Sequence, residues 1–176
     1  MIREQGLQIP TAWIDGDDVM ASVQQALKGG KSEFSNIHTE KPLKDWSADF
    51  EMVGAQAYLG GMGIAEAFSQ GAQIVICGRV SDASPYIGSA FWWHGWKRNM
   101  LDELANVLMA GHLLECSTYV TGGNYSGFQE LQFGPNAGWV NLGYPIGEIG
   151  KDGSVIITKQ KGTEGMVTVN TCSSQV

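Results

Sequence analysis

The sequence predicts an α/β fold, with a mostly parallel sheet flanked by helices and an antiparallel β-hairpin near the C-terminus. Three observations carry this expectation. Gln73-Ile-Val-Ile-Cys77 is an unbroken apolar, β-branched run, the pattern of a strand buried on both faces of a parallel sheet. The segment from Thr11 to Lys28 reads as strand, acidic turn and helix, half of a βαβ unit. Glycine, at 24 residues, stands in pairs at the ends of apolar segments (Gly29-Gly30, Gly60-Gly61, Gly122-Gly123), which marks tight turns and close backbone approaches rather than a linker.

Taken in order, Thr11-Ala-Trp-Ile14 reads as a short strand. The acidic turn Asp15-Gly16-Asp17-Asp18 follows, and then a helix over Val19–Lys28. Val19, Val23 and Leu27 make its apolar stripe, Asp17 is the expected N-cap and Gly29 the stop. Residues 30–50 are polar and aperiodic and read as a long loop. A second helix is expected from about Gln56 to Ser69, although Gly60, Gly61 and Gly63 each weaken it by roughly 1 kcal/mol relative to alanine. After the central strand, Ser84-Pro85 opens a helix to about Trp93, with proline at its first position. The longest helix is expected over Met100–Glu115. Placing residues 100° apart puts Leu101, Leu104, Val107, Leu108, Gly111 and Leu114 on one arc, with Glu115 inside it and His112 at its edge. Residues 121–144 match no regular element. Tyr144–Ile149 and Ser154–Thr158, joined by Gly150-Lys-Asp-Gly153, read as the hairpin. Thr171-Cys-Ser-Ser-Gln-Val176 has the residues of a helix start with no helix after it.

Composition narrows the function. A formal charge of −7 with no Lys/Arg cluster argues against a nucleic-acid partner, because neutralising phosphates needs a basic face. Apolar residues at 43% against 16% charged argue against disorder. No apolar run has membrane-spanning length, and the N-terminus lacks a secretory core. Cys77, Cys116 and Cys172 are odd in number and far apart, so neither a disulfide framework nor a zinc site is expected, and a reducing cytoplasmic setting is. A single domain over 1–176 suits the length.

Three constellations can carry chemistry. Gly78-Arg79-Val-Ser-Asp82-Ala-Ser84 leaves the central strand and enters a helix, where open α/β sheets collect ligands. Arg79 and the helix start at Ser84 suit an anion, and Asp82 a base. The bland alternative is a capped helix with a locally paired arginine. His112 and Glu115, three apart on one helix, can share a metal or act as an acid–base pair, or else form a structural pair. Lys159, Gly162, Thr163 and Gly165 can cradle an anion through backbone N–H groups, or simply end a hairpin. The Asp15–Asp18 turn suits a helix cap better than magnesium. Gly61-x-Gly63 has neither a preceding strand nor a third glycine, which argues against a dinucleotide cofactor. The Phe91–Trp96 aromatic group is core, interface or the wall of an apolar ligand site, and Cys116 has no activating triad.

Over residues 8–176, these same segments resemble the acyclic terpene utilisation (AtuA-type) family. The resembling residues are Ala57–Gly60, Ile74–Ser84, Ala110–Cys116, Val120–Gly123, Asn141–Ile146, Asp152-Gly153, Thr158-Lys159 and Gly162-Thr163-x-Gly165. The resemblance implies a Rossmann-like layered α/β domain, often followed in the family by a small ferredoxin-like domain. It implies a role in catabolism of citronellol- and geraniol-type isoprenoids through CoA thioesters. On that basis the chain acts on or binds an acyl-CoA-like intermediate, with a non-catalytic binding or assembly module as the alternative. Asp82, His112 and Glu115 are the expected proton-transfer groups. Arg79, Ser84 and the Lys159–Gly165 loop are expected to hold anionic groups, and the Trp92–Trp96 region to face hydrocarbon. A small-molecule substrate, with a second copy or a further domain as partner, is expected; no metal or resident cofactor is. Because family members carry further Gly-rich βα units before this region and continue past it, the chain resembles an internal, truncated section, leaving sheet edges to be covered by a partner.

Overall fold

The computed structural model describes residues 3–29, 34–46 and 50–176. β1 (Thr11–Ile14) and β2 (Ile74–Cys77) pair in parallel, Thr11 opposite Ile74 through Ile14 opposite Cys77. Between them come α1 (Met20–Lys28) and α2 (Met62–Ser69). The loop expected over 30–50 lies partly outside the described residues; its described part includes a 3-10 turn at Leu43–Asp45. α3 (Ser84–His94) follows β2 with Pro85 in its first turn, and α4 (Leu101–Glu115) follows α3. After 3-10 turns at Tyr119–Thr121 and Phe128–Gln132, β3 (Pro145–Ile149) and β4 (Val155–Lys159) form the antiparallel hairpin, and α5 (Val169–Gln175) ends the chain.

The result is a mixed α/β fold with five α-helices and two small sheets among the described residues, one a parallel pair and one a hairpin. It is narrower than the expected extended parallel sheet. β2 is also not buried on both faces. Ile76 is 44% exposed and its partner across the ladder, Trp13, is 66% exposed. Side chains alternate along a strand, so these two share the face that no described element covers, while Ile14 on the other face meets α2 at Gly63.

Helix α2 starts six residues later than its apolar spacing suggests. The segment before it runs extended beside the strand ends instead: Ala57 N–H donates to the Asp17 carbonyl, Leu59 N–H to the Arg79 carbonyl, and Ser81 N–H to the Leu59 carbonyl. Gly61 can then sit against α3. A Cβ on Gly88 would stand 2.5 Å from the Gly61 carbonyl oxygen and 2.7 Å from Ile64 Cβ, so only glycine lets α2 and α3 meet at this separation.

α3 packs against both α2 and α4. The α4 contact explains why its buried face is rotated from the expected arc. Val107, Ala110 and Gly111 are buried, whereas Leu101 and Leu108 are exposed. A Cβ on Gly111 would stand 2.7 Å from that of Ala83, so small residues set the seam. The core joins Ala90, Trp96 and Val107, with Tyr86, Leu104 and Ile149 packed around them. Trp96, expected in the aromatic ligand wall, is instead 3% exposed in this core and donates its indole N–H to the Lys151 carbonyl at 2.8 Å.

At the C-terminus the Thr/Ser run is itself helical. Thr168 is the N-cap, its hydroxyl accepting the Thr171 N–H while the Thr171 hydroxyl accepts the Thr168 N–H, a reciprocal capping box. α5 packs on the Tyr119–Thr121 turn and on α4.

Candidate functional site

β2 delivers its C-terminal end toward the first turn of α3, and Asp17 fixes that junction. Rather than capping α1, the Asp17 carboxylate accepts the Arg79 N–H at 2.8 Å and the Gln56 side-chain amide at 3.5 Å, and Asp18 takes the Met20 N–H. The Arg79 guanidinium lies over the Tyr58 ring, 5.5 Å from its centroid. Ser84 is fully buried; its hydroxyl shares a 2.6 Å hydrogen bond with that of Ser81 and donates to the Leu59 carbonyl. The Ser84 N–H is taken by the Ser81 carbonyl, and the Tyr86 and Ile87 N–H groups by the Ala83 carbonyl, so the start of α3 is satisfied internally.

The last turn of α4 carries the second constellation. His112 is exposed and its Nε2 hydrogen-bonds the Gln175 carbonyl of α5 at 2.9 Å. Glu115 is half-buried and accepts the Cys116 thiol at 2.7 Å. That acceptor, above all, raises the Cys116 thiol above its ordinary range; the charge of Asp82 adds a smaller push in the same direction, which places Asp82 in the same neighbourhood. Arg79 is not joined to Asp82, His112 or Glu115 by any hydrogen bond or ion pair among the described residues.

Glu115 opens onto a cleft of about 390 Å³ between α3, the end of α4 and β3, where Tyr86, Leu114, Ser117, Tyr144 and Ile149 also line the wall. Burial first, and then the charge of Glu115, raises the Tyr86 phenol, which therefore stays a protonated donor. A second cavity of about 490 Å³ adjoins it along α3, sharing Tyr86 and Ile149 and bounded by Ala90, Trp92, Trp93 and His94. Trp92 is held by Phe68 of α2, ring centroids 5.1 Å apart, and His94 by the Ile149 carbonyl at 3.0 Å and a stack on Trp96. The two cavities, neighbours through the shared Tyr86 and Ile149, make up a trough in two parts, one acidic and hydroxylated and the other aromatic. Tyr86, Ser117 and Tyr144 are absent from the sequence-based candidates. Tyr86 carries the one readable signal, its place directly after Ser84-Pro85 at a strand's C-terminal exit.

The third constellation stands elsewhere. The Lys159 ammonium donates to the Thr163 carbonyl at 2.7 Å and to its hydroxyl at 3.1 Å, closing its own loop. Gly162 and Gly165 sit in that loop with φ of 73° and 84°. Lys159 and Gly165 line a separate cavity of about 460 Å³ with Phe133 and Ile157, and it shares no wall residue with the trough. Among the described residues, no three His, Cys, Asp or Glu side chains converge as metal ligands, and no helix is long and apolar enough to cross a membrane. All three cysteines are free.

No curated protein and no solved structure matches the chain. The model of the family described as acyclic terpene utilisation family protein AtuA matches residues 1–176, and the chain belongs to that family.

Proposed function

We propose that the chain serves catabolism of acyclic isoprenoids by holding an acyl-CoA-like intermediate of the citronellol or geraniol type. The branched hydrocarbon lies along Trp92 and Trp93, and the thioester end reaches Glu115, Tyr86 and Tyr144. One observation supports this reading: the aromatic and polar cavities share Tyr86 and Ile149 in their walls, which suits one elongated amphiphile laid across both. Their volumes fall in the range of small-molecule sites. Family membership supplies the class of hydrocarbon. Glu115 is the group placed for proton transfer, with Asp82 and His112 flanking it. Arg79, exposed and with its guanidinium over the Tyr58 ring, is the candidate cation for the CoA phosphates.

Thermal unfolding with and without citronellyl-CoA tests the reading, since a ligand that binds the folded state raises Tm. Trp93→Ala, at a position 73% exposed and so tolerant of truncation, is expected to weaken binding about tenfold by removing aromatic contact. The reading is lost if citronellyl-CoA leaves Tm unchanged, or if Trp93→Ala and Glu115→Gln both leave its effect intact.

The uncovered Trp13–Ile76 face favours a second reading, an assembly module whose parallel pair is completed by another chain. Sedimentation equilibrium of the protein and of Trp13→Ser distinguishes it. A concentration-dependent oligomer abolished by the substitution supports assembly, and a monomer throughout removes it.

A further inference from the structure

The polar end of the trough offers hydroxyls from Tyr86, Ser117 and Tyr144 and the carboxylate of Glu115. Among the described residues lining either cavity, none is lysine or arginine. The one imidazole, His94, lies in the aromatic cavity with its Nε2 engaged by the Ile149 carbonyl. Arg79 and Lys159, the cations among the candidate anion-holding residues, line neither cavity: the Arg79 guanidinium lies over the Tyr58 ring and Lys159 donates to Thr163. Asp82 adds charge of the same sign as Glu115, since both act on Cys116. An anionic head group placed here would meet a like charge with no lysine or arginine among the lining residues to neutralise it, at a contact partly shielded from water. A neutral oxygen faces no such penalty. Its lone pairs can accept from the Tyr86 phenol, and a hydroxyl can in addition donate to Glu115.

Resting on the reading of the trough given above, we propose that this site selects an uncharged, oxygen-bearing head group, a thioester or a hydroxyl, over the free carboxylate of the same hydrocarbon, with Glu115 as the discriminating residue. The trough then holds the activated or unoxidised forms of an acyclic isoprenoid and releases the acid.

Isothermal titration of citronellol, the S-ethyl thioester of citronellic acid and citronellic acid itself, at neutral pH, tests the proposal. The acid is expected to bind about tenfold or more weakly than the neutral ligands. Whichever neutral ligand binds more tightly identifies the head group, carbonyl or hydroxyl. Glu115→Gln keeps an acceptor for the Cys116 thiol and is expected to narrow the gap several-fold. Tyr144→Lys, at a rim position 60% exposed, is expected to narrow it independently by adding a cation. An acid that binds as tightly as the neutral ligands overturns the preference alone. A gap unchanged in Glu115→Gln overturns the part given to Glu115, and one unchanged in Tyr144→Lys overturns the electrostatic origin of the preference. Failure of all three ligands to bind removes the trough as an isoprenoid site, and the preference with it.

Discussion

His112 and Gln175 hold each other twice: His112 Nε2 bonds the Gln175 carbonyl at 2.9 Å, and the Gln175 side-chain amide donates to the His112 carbonyl at 3.0 Å. The pair ties the last turn of α5 to the last full turn of α4, one helical step from Glu115. Gln175→Ala is expected to cost about 1 kcal/mol, a typical net value for an exposed hydrogen bond. Hydrogen exchange gives the sharper reading. Amides of residues 172–176 should exchange faster while those of α4 keep their protection. Unchanged exchange in α5 would mean that the capping box at Thr168 and Thr171 secures the helix alone.

The Asp17 carboxylate performs a comparable service at the start of the site, receiving the Arg79 N–H across 62 residues of sequence. Removing an ionised acceptor leaves a backbone donor without its partner, so Asp17→Ala is expected to cost about 1–2 kcal/mol in denaturant unfolding. Gly78→Ala should reproduce the loss, because a Cβ there would collide with the same carboxylate. Full stability in both variants would show that the β2–α3 junction does not depend on Asp17.

Glu164 gives a pH dependence with a defined sign. Its carboxylate accepts the N–H groups of Val140 at 2.7 Å and Asn141 at 3.0 Å, and these bonds, Asn141 first, lower its pKa below the ordinary 4.5. A group depressed in the folded state stabilises fully above its unfolded value and loses that contribution as pH falls through the folded one. The Tm difference between the protein and Glu164→Gln should therefore be largest near neutrality and shrink on acidification below about pH 4. A difference that stays constant to low pH would contradict this.

Cys116 is exposed yet held as a thiol, chiefly because Glu115 accepts its S–H. Since the thiolate is the nucleophile, alkylation by iodoacetamide at mildly alkaline pH should be slower than for an unperturbed exposed cysteine. Glu115→Ala should speed it several-fold, read by mass spectrometry of the 116-containing peptide. Equal rates in the two proteins would detach the thiol from the carboxylate.

Where the signals were local, the sequence was readable. Thr11–Ile14 and Ile74–Cys77 are strands, Ser84-Pro85 does open a helix, α4 ends at Glu115, and the hairpin pairs Ile149 with Val155 across the Gly-rich turn. What escaped depends on separation in sequence. Asp17 has the composition of a cap for the helix beside it, but its partner is the Arg79 amide. Gly60 and Gly61 look like flaws inside a helix, whereas they lie just before it, where α3 crosses. Hydrophobic spacing on α4 points to its leucines, whereas the close approach of Ala83 selects the small residues. α5 was hidden because its box closes with Thr171 in the third position, where glutamate or glutamine is the familiar signal. The trough is a property of three elements at once. Tyr86, Glu115 and Ile149 come from α3, α4 and β3, and no spacing along the chain announces that they meet.

The glycine seams at Gly61–Gly88 and Ala83–Gly111 also govern how this molecule can be remodelled. With both flanks of α3 clamped at near-contact distance, extra bulk on either side cannot be absorbed by sliding the helix. Under the binding mode proposed above, ligand length can change readily only along the open edge bearing Trp92 and Trp93, where side chains can be trimmed or enlarged without disturbing a backbone crossing. Homologues that accept longer or shorter tails should accordingly differ at that edge and keep the seams small.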